Sequence, residues 1–231
     1  MPASLRVLST LAVMGAMRDL SAAYQARNGT AVDPDFAPTV ALVERLRAGE
    51  QGDIGILTGQ GIDDMIAAGI MRPGSRTDVA RSFVGVAVKA GAPRPDLSTV
   101  ESFKAALLAA RSVCYSKIGA SGLYFAALIE RLGIAAEVNA KATIAATGFT
   151  AERLISGEAD LAVQQISELM VVPGNEVAGP LPAEVQTVAM FSAGLLTSSA
   201  QPEAAADLLR FLASEDAAPV LRRTGLEPPL K

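Results

Sequence analysis

Histidine and tryptophan are absent from this 231-residue chain, and cysteine occurs once. Without histidine there is no His-based catalytic triad, most zinc sites lose their main ligand, and the usual neutral-pH general base is missing. Any catalysis must use carboxylates, Lys, Tyr, Ser or Thr. The lone Cys114 sits inside the apolar run SVCYS with no second thiol to pair with, and reads as an inert core residue. Long apolar runs are missing too: half the residues are hydrophobic, yet no stretch approaches the roughly 20 that a membrane helix needs. No membrane insertion is expected. Nor is there a strong excess of charge. Lys and Arg number 20 against 24 Asp and Glu, a net of −4, and no basic run interleaves with aromatics, so nucleic acid is not an expected partner. The GxGxxG and phosphate-loop patterns and metal-ligand clusters are also lacking, so neither cofactor nor metal is expected.

What is present is an alternation of short apolar or β-branched runs with segments of helical period, the pattern of an α/β protein with a mainly parallel sheet. Strands are expected at LRVLS, AVDPDFA, GDIGILT, FVGVAVKA, SVCYS, NAKATI, DLAVQQ and VQTVAMFSAGLL. Helix faces are marked by Met17, Leu20 and Tyr24, by Tyr124, Leu128 and Leu132, and by Leu208, Leu209 and Leu212. Gly29, Gly49 and Gly133 stand where left-handed caps would end helices. The Gly-Pro-rich stretches after Lys89 and after Met170 break this rhythm, and Ser98 or Thr99 should start a new helix. Two breaks imply one lobe inserted into another: residues 1–82 with 188–231, and residues 83–187, with a ligand cleft between them.

In open α/β sheets, ligands collect where strands end and helix amino termini begin. The stretch YSKIGASGLYFAALIERLGI fits that description. Ser116 and Ser121 offer hydroxyls, Lys117 a charge, and Gly119 and Gly122 a close approach to the backbone. An anion would be stabilised there. The alternative is an ordinary helix start with Ser121 as N-cap and Lys117 solvated. Ser9 and Thr10, Thr39, and Gln164, Gln165 and Ser167 occupy three comparable junctions. Each alone suits a routine cap or strand end, but jointly they suggest a small polar ligand. Arg81 precedes FVGVAVKA and could reach a carboxylate, the competing reading being a surface arginine.

The segments RVLSTLAVMGAMRDLSAAYQARNG, FAPTVALVERLRAGEQGDIGILTGQGIDDM, ASGLYFAALIERLGI and AAADLLRFLASEDAAPVLRRTGLEPP resemble the type II periplasmic binding-protein superfamily, in particular the molybdate and oxyanion receptors of ABC importers. The resemblance runs over nearly the whole chain. It implies two α/β lobes closing by a hinge on a small anion held without formal charge. It also implies hydroxyls after the first and second strands, a helix start in the inserted lobe, and a tyrosine late in that lobe. Here Ala12 falls where the first-loop serine is expected, Thr39 stands in the second loop, Ser121 matches the helix start, and Gln164 replaces the tyrosine. Amides and a candidate cation, Lys117, suit a planar carboxylate better than a tetrahedral dianion.

The leading expectation is therefore binding of a small anionic ligand, an organic carboxylate or oxyanion. An ABC transporter is the partner if the protein is exported. The alternative is a cofactor-independent isomerase of an unsaturated di- or tricarboxylate, similar to relatives that act on aconitate. Lys117 or Glu168, or Tyr115 or Tyr124, would then move the proton. A third reading, an effector-binding module, has no DNA-binding segment to support it. The amino terminus lacks a basic leader and cleavage site, so the chain as written is expected in the cytoplasm, and in the periplasm if a leader has been removed.

Overall fold

The first sheet grows from strands whose residues alternate between two apolar layers. The computed structural model describes residues 4–230. In chain order they form β1 (Ser4–Thr10), α1 (Met14–Asn28), β2 (Ala31–Ala37), α2 (Thr39–Arg47), β3 (Ile54–Thr58), α3 (Gly59–Ala67) and β4 (Thr77–Lys89). There follow α4 (Val100–Ala109), β5 (Val113–Ser116), α5 (Ala120–Arg131), α6 (Ala135–Asn139), β6 (Thr143–Ala145), α7 (Glu152–Ile155), β7 (Leu161–Gln165) and α8 (Ile166–Leu169). The chain closes with β8 (Asn175–Pro180), β9 (Val188–Leu195), α9 (Pro202–Leu212) and α10 (Ala218–Arg223). It divides into two compact units, Met1–Ser82 with Ala189–Lys231, and Phe83–Val188. The chain crosses between them within β4 and at the start of β9.

In the first unit β1 is flanked in parallel by β2 and β3, and β9 adds antiparallel to β3. Leu5 and Val7 face one apolar cluster with Met17, Leu20 and Tyr24 of α1 and Leu208 and Leu212 of α9. Leu8 faces another with Leu42, Leu46 and Met65. The period-2 alternation of β1 thus feeds both layers, as a doubly covered parallel strand requires. Gly29 ends α1 at φ 73°, and Gly49 and Gly133 also take positive φ, so all three expected caps adopt the left-handed conformation.

In the second unit β5 lies parallel between β6 and β7, while β4 runs antiparallel to β7 and β8. Val113, Tyr115, Leu161 and Val163 join Phe125, Leu128 and Ile129 of α5 in one cluster. Cys114 and Ala162, on the opposite face, join Ala151 and Leu154 near α7. Cys114 is fully buried, and burial pushes its thiol up to about 12, which leaves it unreactive. Thr99 caps α4 in a reciprocal pair with Ser102.

The expectations need correcting at four places. β4 begins at Thr77, six residues before FVGVAVKA, because the alternating TDVARS segment continues the strand. The stretch after Met170, read as a break, contains β8, which pairs with β4 through a bulge between Val86 and Ala87. NAKATI is a strand only from Thr143, since Asn139 ends α6. α5 starts at Ala120 with Gly119 as N-cap, so Ser121 lies inside the first turn and is not the cap.

Candidate functional site

Ser9, Thr10 and Thr39 lie in the first unit. The parallel register of β1 and β2 sets Thr10 beside Ala37, two residues before Thr39. The Thr10 and Thr39 hydroxyls consequently meet at 3.2 Å, and the buried Ser9 hydroxyl donates to the Thr10 carbonyl at 3.1 Å. Ala12 is buried in the turn that leads into α1. α2 has no side-chain cap on its first amides. The structure thus brings two of the expected hydroxyls together at the carboxyl ends of adjacent strands.

Arg81 is engaged elsewhere in the same unit. Within β4 its guanidinium donates to the Glu227 carboxylate at 2.5 Å and to the Pro228 carbonyl at 3.1 Å, and its backbone bridges Glu227. Those contacts hold Glu227 and Pro228 against β4.

The second unit holds the rest. β5 ends at Ser116, whose buried hydroxyl accepts from the Ile118 and Gly119 amides at 3.2 and 3.3 Å and so shapes the turn into α5. Lys117 is exposed on that turn. Ser121 is 2% exposed, one residue into the helix, and the N-cap Gly119 supplies no side-chain hydrogen bond to the first amides. The absence of a side chain at Gly122 is dictated by the chain itself, because a Cβ there would fall 1.6 Å from the Ser116 carbonyl oxygen.

β7 delivers Gln164 and Gln165, both buried, to the end of the sheet where α5 begins. The Gln164 side-chain oxygen accepts from the Thr150 amide at 2.8 Å and the Thr150 hydroxyl at 2.9 Å. Thr150 was not marked by any spacing in the sequence, since it precedes Gln164 by fourteen residues on an irregular segment. Glu168, on α8, is buried with its carboxyl hydrogen-bonded by the Gln165 backbone and the Gln164 side chain. Burial outweighs those bonds and raises its pKa to about 7. The other two proton-moving candidates are committed structurally. Tyr115 donates to Asn139 at 2.6 Å and Tyr124 to the Val185 carbonyl at 2.6 Å. Burial raises the Tyr115 pKa as well.

The unit therefore presents one end of a sheet carrying an uncapped helix start, a buried carboxyl poised near neutrality and two buried amides. A helix start of that kind suits an anion, and a carboxyl raised to about 7 can hold or release a proton near neutral pH. Among the described residues no cluster of His, Cys, Asp or Glu could hold a metal ion, and no helix is long and apolar enough to cross a membrane.

Residues 5–227 match the family described as bacterial extracellular solute-binding protein. The chain belongs to that family. It is 36% identical to the aconitate isomerase of a Pseudomonas species, a likeness covering 97% of this chain and 88% of that protein. The periplasmic molybdate-binding protein of Azotobacter vinelandii shares the fold at a TM-score of 0.83 and 19% identity, over 98% of this chain and 100% of the other. A periplasmic thiamin-binding protein does so at 0.77 and 15%, over 100% and 85%. These neighbours establish the type II periplasmic binding-protein fold, as the sequence resemblance implied.

Proposed function

We propose that this solute-binding family member binds a small organic polycarboxylate, and that the start of α5 together with the end of β7 forms its anchoring site. The observation that carries the reading is the 36% identity, along nearly the whole chain, to a protein named for a tricarboxylate. The chemistry of the second unit agrees with it. Uncapped amides at the α5 start suit an ionised carboxylate, and the buried Gln165 amide adds a polar group at the same end of the sheet. An ABC transporter is the proposed partner, in keeping with the family's description as extracellular solute-binding proteins.

A second reading is turnover, and Glu168 favours it. Isomerisation of an unsaturated tricarboxylate requires a proton to leave one carbon of an allylic system and return at the other end, with composition unchanged. A carboxyl group that titrates at about 7 exists in both forms at neutral pH and can therefore accept and return that proton. Lys117, exposed on its turn, would attract the anion rather than move the proton.

A thermal-shift screen against di- and tricarboxylates, molybdate, tungstate and sulfate tests the first reading, because ligands of the folded state raise Tm. Stabilisation by a tricarboxylate is expected. Stabilisation by molybdate or tungstate alone would overturn it. Proton NMR of cis- and trans-aconitate with the protein then tests turnover: interconversion makes the chain an isomerase, and unchanged spectra leave a binding protein.

A further inference from the structure

We propose that Gln165 selects among carboxylates by accepting a hydrogen bond, so that the ligand must carry a hydroxyl or a protonated carboxyl beside its ionised group. The inference rests on the polycarboxylate reading above and narrows it to a chemical class.

The starting observation is an acceptor without a donor. Gln165 is 2% exposed, and its side-chain oxygen is buried with no hydrogen-bond partner. Native proteins seldom leave such a group unpaired, because desolvation is then uncompensated. The neighbouring Gln164 shows the contrast: its oxygen takes two bonds from Thr150. The Glu168 carboxyl is engaged by the Gln165 backbone and the Gln164 side chain.

The direction of Gln165 follows from the strand. Residues two apart share a face. Leu161 and Val163 pack with Phe125, Leu128 and Ile129 of α5, whereas Ala162 packs with Ala151 and Leu154 on the other side. Gln164 follows Ala162 and meets Thr150 on that second side. Gln165 follows Val163 and belongs to the α5 face. The end of the sheet is fixed as well. β5 and β7 are parallel, so the carboxyl end of β7 lies at the end where β5 turns into α5. Gln165 therefore shares both face and sheet end with the first turn of that twelve-residue helix, which lacks a side-chain cap.

Two complementary demands meet there. The helix amides want an anion, and the Gln165 oxygen wants a donor. A fully ionised oxyanion supplies only acceptors and meets the first demand alone. A hydroxycarboxylate meets both. An unsaturated tricarboxylate without a hydroxyl meets both when one of its carboxyl groups keeps its proton.

Matched ligands decide the question. Citrate and tricarballylate differ by one hydroxyl, as do malate and succinate, and at pH 8 all their carboxyl groups are ionised. Calorimetry on the full chain should find the hydroxylated member of a pair tighter by about tenfold. In Gln165→Met, which keeps the length and removes the acceptor, the gap should close to about twofold or less. If Gln165→Met does not fold, Gln165→Asn, which withdraws the amide by one methylene, should narrow the gap too. Equal affinities within both pairs in the unmodified protein would overturn the role of Gln165 and leave the carboxylate site standing, as would a gap that persists in the folded variants. Failure of every carboxylate to bind would remove the site and the inference together.

Discussion

Glu168 is the residue at which burial and charge are most directly opposed. Its carboxyl has a pKa near 7 against 4.5 for an ordinary glutamate, so the folded protein holds this proton more tightly than the unfolded chain. The stabilisation this gives is complete below about pH 4.5, declines as the pH rises and is lost above about 7. Glu168→Gln keeps the shape without the charge. The variant should gain on the unmodified protein as pH rises from 5 to 8, by about 2 kcal/mol at the upper end. Urea denaturation at the two pH values checks this, and a gap that does not change with pH would mean that Glu168 titrates normally. Thr150→Val tests the adjacent pair: losing the hydroxyl from a buried glutamine oxygen should cost about 1 kcal/mol of stability.

At the scale of elements, the junction between β5 and α5 is built so tightly that its sequence has little freedom. Gly122→Ala would drive a methyl group against the Ser116 carbonyl oxygen, forcing the helix start away from the strand. A stability loss of about 3 kcal/mol is expected, read from the midpoint of chemical denaturation. A loss under about 0.5 kcal/mol, ordinary for a surface change, would show that the turn can relax. This junction also marks how far the sequence was legible. The apolar period of α5, the caps at Gly29, Gly49 and Gly133, and the apolar runs of β1, β3, β5 and β7 were readable, because each follows from local periodicity or a demand for positive φ. β8 was not, since its polar, Gly- and Pro-containing sequence becomes a strand only by pairing with β4. Nor was the cap of α5: a serine beside a glycine suggested the hydroxyl, whereas the chain caps with Gly119 and buries Ser121. At the candidate site, Gln164, Gln165 and Glu168 could be named from their place after an apolar run. Their difference could not, because whether an amide oxygen is paired depends on Thr150 and on which face of β7 each residue occupies.

Across the whole molecule, the four apolar clusters are each drawn from one unit. Two use only residues from Met1–Ser82 and Ala189–Lys231, and two only residues from Phe83–Val188. Damage to one core should therefore loosen that unit first. Phe125→Ala empties a fully buried ring position in the second unit and should cost about 3–5 kcal/mol there. Leu20→Ala does the same in the first, at about 2–5 kcal/mol. Hydrogen exchange followed by mass spectrometry separates the two effects. Phe125→Ala should accelerate exchange in peptides from 83–188 while those from β1 and α1 stay close to the unmodified protein, and Leu20→Ala should give the reverse. Equal acceleration along the chain in both variants would mean that the units open together. A saturating ligand anchored at α5 and β7 should, by the same reasoning, slow exchange most strongly in the second unit.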